Sequence, residues 1–144
     1  MKTLILAIAI PILGFVATNK LDEDNGFGNY KFGTSPTQYN DLMIELDEGK
    51  TQLYSATDNY VPIKDVKAAN IRITFCKNQL AAICIKSKQG TGVNFLQHLT
   101  EKYGAPKKVK DNYEWLSQKV QLMYEPIEGK DGAITFYSRQ IYKK

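Results

Sequence analysis

The chain has 144 residues, enough for one domain whose folding removes roughly two-thirds of the unfolded surface from water. Its 43% hydrophobic, 24% charged and 11% aromatic residues are those of a folded globular protein and exclude disordered and fibrous classes. A net charge of +4 is too weak to imply a polyanion partner, so no nucleic acid is expected, and the basic runs at 86–88, 107–110 and 143–144 read as solvated surface.

The first element in chain order is "MKTLILAIAIPILGFVATNK". A basic start at Lys2 and an uncharged apolar run from Leu4 to Ala17 match a secretory leader, so residues 1–18 are expected to be a signal peptide, with Val16-Ala17-Thr18 the nearest cleavage signal. As a helix, residues 3–18 would reach about 24 Å, short of a hydrocarbon core of about 30 Å. An uncleaved anchor is the alternative, and membrane attachment is expected only then. The expected location is periplasmic or secreted.

Residues 19–33, "NKLDEDNGFGNYKFG", are polar and glycine-bearing and predict a mobile segment that becomes ordered near Phe32. The domain itself is expected over 34–144. In "TSPTQYNDLMIELDEGK", Ser35 can cap a helix, Pro36 suits its first turn and Gln38 completes a capping box. Tyr39, Leu42, Met43 and Leu46 then form an i, i+3, i+4, i+7 stripe before Gly49, which predicts a helix over 36–48. The alternative is a hairpin with "LMIEL" and "TQLYS" as strands around "DEGK".

Strands are expected at 52–57, in "NIRITF" with Ile71, Ile73 and Phe75 on one face, and in "AAICIKS" with Ala81, Ile83 and Ile85 on one face. A second helix follows in "TGVNFLQHLTEKYGAP", where Phe95, Leu96, Leu99 and Tyr103 share a stripe and Gly104 and Pro106 end it. Three more strands are expected at 112–117, 119–125 and 133–142. The predicted fold is α+β: one antiparallel sheet of about six strands with two helices on one face, an αβββ-αβββ pseudo-repeat.

Both cysteines lie in "ITFCKNQLAAICIK". Pairing Phe75 with Ala81, Ile73 with Ile83 and Ile71 with Ile85 around a Lys77-Asn78-Gln79 turn sets Cys76 opposite Leu80 and Cys84 opposite Arg72. The thiols are then four positions apart along the ladder, about 13 Å. A disulfide needs Cα atoms closer than about 7 Å, so none is expected within the chain. No CxxC or HxxxH spacing accompanies them, and no metal or other cofactor is expected.

Catalytic chemistry finds few candidates. His98 is the only histidine and lies off the apolar stripe of its helix, with no charged orienter among its neighbours. The acidic clusters at 22–24 and 45–48 could serve as paired acids or hold a cation, but solvated charge is the simpler reading. "KQGTGVN" lacks the GxxxxGK[ST] spacing of a phosphate cradle and reads as a turn entering a helix.

What remains is surface. Tyr113 and Trp115 share one face of their strand, Tyr137 and Arg139 lie opposite Ile134 and Phe136, and Met123 lies opposite Leu122. Tyr, Trp, Met and Arg enrich protein-binding hot spots, so these five are the candidate partner-binding set, provided that they line an open sheet face. The alternative for Trp115 is the core beneath a helix.

"KFGTSPTQY", "LTEKYGAP" and "AITFYS" together resemble small exported bacterial α+β proteins of unassigned function. In outline the chain is similar to the beta-lactamase-inhibitory-protein-like tandem αβ folds, which present an open sheet to a partner. "YGAP…W" also resembles the small lipoprotein of the outer-membrane barrel-assembly machinery, although the lipidated cysteine is missing. These resemblances imply a binding or envelope role and supply no catalytic residues. The expectation is a non-enzymatic exported binding module, an inhibitor or cell-envelope accessory protein, with a protein partner. The alternatives are a small carboxylate-dependent hydrolase and a structural envelope protein anchored by its leader.

Overall fold

The computed structural model describes residues 19–57, 69–87, 94–128 and 131–142; the expected leader over 1–18 and the turn expected at Gly90 and Gly92 lie outside the described residues. In chain order they form a helical segment at 19–24 (α1) and a small hairpin of β1 (Gly26–Phe27) and β2 (Tyr30–Lys31). A 3-10 turn at Pro36–Gln38 leads into β3 (Leu42–Asp47), β4 (Thr51–Ala56), β5 (Ala69–Cys76) and β6 (Gln79–Ser87). Then come α2 (Phe95–Tyr103), β7 (Lys107–Val109), β8 (Asn112–Leu116), β9 (Val120–Glu125) and β10 (Ala133–Ser138).

Eight strands make one antiparallel sheet in the order β3-β4-β5-β6-β10-β9-β8-β7. The class is α+β as expected, but with eight strands in the main sheet rather than six. Two four-stranded meanders, β3 to β6 and β7 to β10, meet where β6 pairs β10. Because that central pair is antiparallel, a half-turn about the sheet normal exchanges the strand order of the two meanders. The repeat is therefore one of four-strand meanders, not of a helix followed by three strands.

The hairpin of β5 and β6 shows how the sequence fixes this sheet. Ile71 pairs with Ile85, Arg72 with Cys84 and Ile73 with Ile83, the expected register. Nearer the turn a bulge between Thr74 and Phe75 changes it, so that Phe75 meets Leu80 and Cys76 meets Gln79. Lys77 and Asn78 both take positive φ, 50° and 63°, making a two-residue turn in place of the three-residue one expected. Both thiols are free and half-buried.

The helix expected over 36–48 does not form; its hairpin alternative does. Ser35 accepts from the Thr37 amide and Pro36 opens the turn, as those residues favour, but the helical geometry stops at Gln38. Tyr39 turns extended, its ring 5.3 Å from that of Tyr30, and β3 then runs along the side of β4. Pairing with β4 satisfies the backbone of "LMIELD" on one side, and this tertiary pairing overrides the helical spacing of its side chains.

Residues 19–33 also depart from expectation, because they contribute Leu21, Phe27, Tyr30 and Phe32 to the core. Phe27 lies against Phe136 of β10, ring centroids 5.4 Å apart. Gly26 makes the small hairpin possible: its φ is +142° and a Cβ there would stand 2.0 Å from the Tyr30 carbonyl oxygen. Asp22 then clamps the segment to the turn between β8 and β9, accepting from the Ser117 hydroxyl and from the Lys119 amide at 2.9 Å.

Helix α2 is the one that the pattern predicts. Asn94 caps it by accepting from the Gln97 amide at 2.9 Å, and Gly104, with φ +88°, ends it. Phe95, Leu99 and Tyr103 enter the same core as Leu21, each worth about 1.5–3 kcal/mol of burial. That core rests on the sheet face formed by Ile71, Ile73, Phe75, Ile83, Ile85, Ile134, Phe136, Val120, Leu122 and Trp115. No described helix is long and apolar enough to cross a membrane.

Candidate partner-binding face

Alternation sends the remaining side chains of the sheet to the opposite face. Arg72, Cys76, Cys84, Thr135, Tyr137, Gln121, Met123 and Glu114 follow from the registers of β5 to β10, and none contributes to the core beneath α1 and α2. Near the middle of this face, which carries no helix among the described residues, Thr135 pairs with both Cys84 and Met123. Tyr137 pairs with Gln121.

Beside them opens a shallow concavity of about 600 Å³, lined by Gln121, Met123, Tyr137, Ser138, Arg139 and Tyr142. Tyr137 and Tyr142 form its aromatic wall, centroids 5.3 Å apart. Burial pushes the Tyr137 hydroxyl above its ordinary value, so it stays protonated and able to donate at neutral pH. The Arg139 guanidinium is tethered through Nη1 to the Ser117 carbonyl, which fixes a planar cation at the rim.

The five residues selected from the sequence are divided by the sheet. Met123, Tyr137 and Arg139 meet at the concavity. Trp115 does not: it is 2% exposed, pairs with Leu122 on the core face, and donates its indole N–H to the Gly104 carbonyl at 2.7 Å. Tyr113 shares that face, half-buried and stacked on Tyr124 at 6.1 Å. Reflecting β8 onto β9 about the two-residue Gln118–Lys119 turn places Trp115 opposite Leu122. Gln121, Ser138 and Tyr142 were missed; Gln121 was legible as the alternate neighbour of Met123, whereas Tyr142 reaches the site only because the chain turns after Ser138.

The groups considered for catalysis have other partners. His98 is half-buried beside a cleft of about 190 Å³ that also touches Asp24, Lys102 and Tyr103. Asp24 accepts from Tyr103 Oη at 2.8 Å and pairs with Lys102 at 2.9 Å and Lys20 at 3.0 Å. Glu45 pairs with Arg72 at 3.2 Å, and Asp47 accepts from the Gly49 amide at 2.9 Å. No group of three His, Cys, Asp or Glu suited to a metal ion occurs among the described residues.

Partial burial pushes the Asp24 carboxyl up, but hydrogen bonds from Lys102, Tyr103 and Lys20 outweigh it and hold the group below the usual carboxylate range. A folded-state pKa lowered below the unfolded value of about 3.9 stabilises the protein above that pH, and the stabilisation is lost as pH falls through the folded value. Asp24→Asn is therefore expected to lower stability by about 1 kcal/mol at pH 7, because both lysine partners reach solvent that screens the pairs and asparagine can still accept from Tyr103. Urea midpoints of the two proteins should converge as acid protonates Asp24 in the folded protein.

Compared with known proteins, the chain matches no family model, no curated protein and no solved structure.

Proposed function

We propose that this protein is an exported, non-enzymatic binding module, an inhibitor or envelope accessory protein, that engages a protein partner across the helix-free face of its sheet. The observation that carries the reading is the concavity of Met123, Tyr137, Arg139, Gln121 and Tyr142. It joins an aromatic pair, a flexible thioether and a tethered guanidinium, the side chains that dominate measured interface energies. The broad, shallow shape suits a protein surface better than a small substrate, which binding sites usually enclose on most sides. Export is supported by the apolar run from Leu4 to Ala17 behind Lys2.

The test is quantitative capture from the native envelope with wild type, Tyr137→Ala, Met123→Ala and Glu101→Ala, the last altering an exposed residue of α2. Tyr137→Ala is expected to reduce recovery of the wild-type partner by about tenfold or more, with Glu101→Ala unchanged. Equal recovery by Tyr137→Ala and Met123→Ala would remove this face as the site.

A further inference from the structure

The two outer strands of the sheet are built unlike each other. β3 and its flanks carry Asp41, Glu45, Asp47 and Glu48 with no basic residue between them. β7 and the residue after it read Lys107-Lys108-Val109-Lys110, with all three lysines exposed. No other described strand pairs with the outer side of either.

β3 also exposes apolar side chains on both of its faces. Met43, Ile44 and Leu46 are 58%, 47% and 50% exposed, three of the five large exposed apolar residues among those described. Ile44 pairs with Tyr54 on the helix-covered face, whereas Met43 and Leu46, either side of the bulge, pair with Ser55 and Leu53 on the other. A strand paired to the outer edge of β3 would set its own side chains beside Met43, Ile44 and Leu46 on both faces and cover part of their exposed surface. Among the described strands none does.

We propose that β7 of a second copy takes this place, so that the chain self-associates head to tail and the sheet continues from molecule to molecule. Three observations select this occupant. Opposite charges across the new pair attract, while β3 against β3 and β7 against β7 each oppose like charges. In an antiparallel sheet of eight strands the first and last run in opposite directions, so a copy displaced along the sheet without being turned over brings β3 antiparallel to β7. The same displacement keeps the helix-free faces on one side, leaving the concavity near Tyr137 open in every copy. Because β7 has three residues, each contact is short and the assembly depends on concentration and salt. The contact is heterologous and does not close by itself, so growth continues beyond a dimer.

Sedimentation velocity of the isolated protein tests this. At about 20 mM salt the weight-average mass is expected to rise with concentration past that of a dimer, and to return to the monomer at about 500 mM salt. Lys107→Glu/Lys108→Glu and Asp47→Lys/Glu48→Lys alter exposed side chains, and each variant alone should associate at least about tenfold more weakly. Mixed in equal amounts they should associate again, because each then offers the edge that the other lacks. A monomer at every concentration, a mass that stops at the dimer, association indifferent to both reversals, or no recovery on mixing would each overturn the proposal. Circular dichroism of the two variants checks that lost association is not lost folding.

Discussion

Trp115→Ala is expected to lower the free energy of unfolding by about 3–5 kcal/mol, the range for removing a buried aromatic side chain. Trp115 is 2% exposed, lies on the core face opposite Leu122 and satisfies the Gly104 carbonyl that ends α2. Truncation leaves a cavity between sheet and helix and an orphaned carbonyl at the helix end, and the second loss adds to the first. Against a typical total stability of about 5–15 kcal/mol this is a large fraction, so the variant should show a lower denaturant midpoint with little change in slope. Partner capture by this variant would report folding rather than recognition. Tyr137→Ala, whose side chain is only half-buried, separates the two.

Leu21→Ala should cost about 2–5 kcal/mol, although Leu21 stands in a segment whose sequence predicts mobility. Its side chain is fully buried, and Asp22 and Asp24 just after it are tied to Ser117, Lys119, Tyr103 and Lys102. Exchange of Leu21 for alanine therefore weakens a packed element rather than a tail. The measurement is again the urea midpoint, and a loss below about 0.5 kcal/mol would show that the segment contributes no more than surface residues do. If the proposed export includes removal of a leader, a cut anywhere after Leu21 would remove this core residue, so on that proposal the mature protein begins at or before it. Intact mass of the exported form checks that expectation.

What the sequence made legible was whatever had strict period two or a bounded stripe of period 3.6. β5 and β6 could be paired because Ile71, Ile73, Ile83 and Ile85 leave one register with the apolar side inward. α2 could be bounded because Asn94, the stripe through Tyr103, and Gly104 agree. β3 was illegible for a physical reason: an outer strand with apolar residues on both faces has no alternation, and Tyr39, Leu42, Met43 and Leu46 fall by coincidence at helical spacing. β7 is only three residues long and lysine-rich, which reads as surface until its pairing with β8 is known.

The candidate site was legible in part for a related reason. Alternation says which residues share a face, but not which face is covered. Met123 and Tyr137 could be set on one side of the sheet because each alternates with a clearly apolar neighbour in its own strand, and Arg139 continues the alternation of Tyr137 just past the end of β10. In "NYEWLS" neither set is clearly polar, since Tyr113 and Trp115 alternate with Glu114 and Leu116. Only the pairing with β9 decides the matter. Leu116, 48% exposed, is the residue that a hydropathy argument would have turned inward.

The clamp between Asp22 and the Ser117–Lys119 turn also sets an order of events in folding. Its two ends are 95 and 97 residues apart in sequence, and Asp24 reaches Tyr103 across 79. Closing loops of this length is entropically slow and must precede the contacts that reward it. A chain appearing from its N-terminus can bury Leu21 and Phe27 only after β8 to β10 exist, so it cannot complete its core piecemeal. Until the last quarter of the sequence is present, Leu21 and Phe27 lack the strands against which they pack, so the two ends of the chain complete one core together.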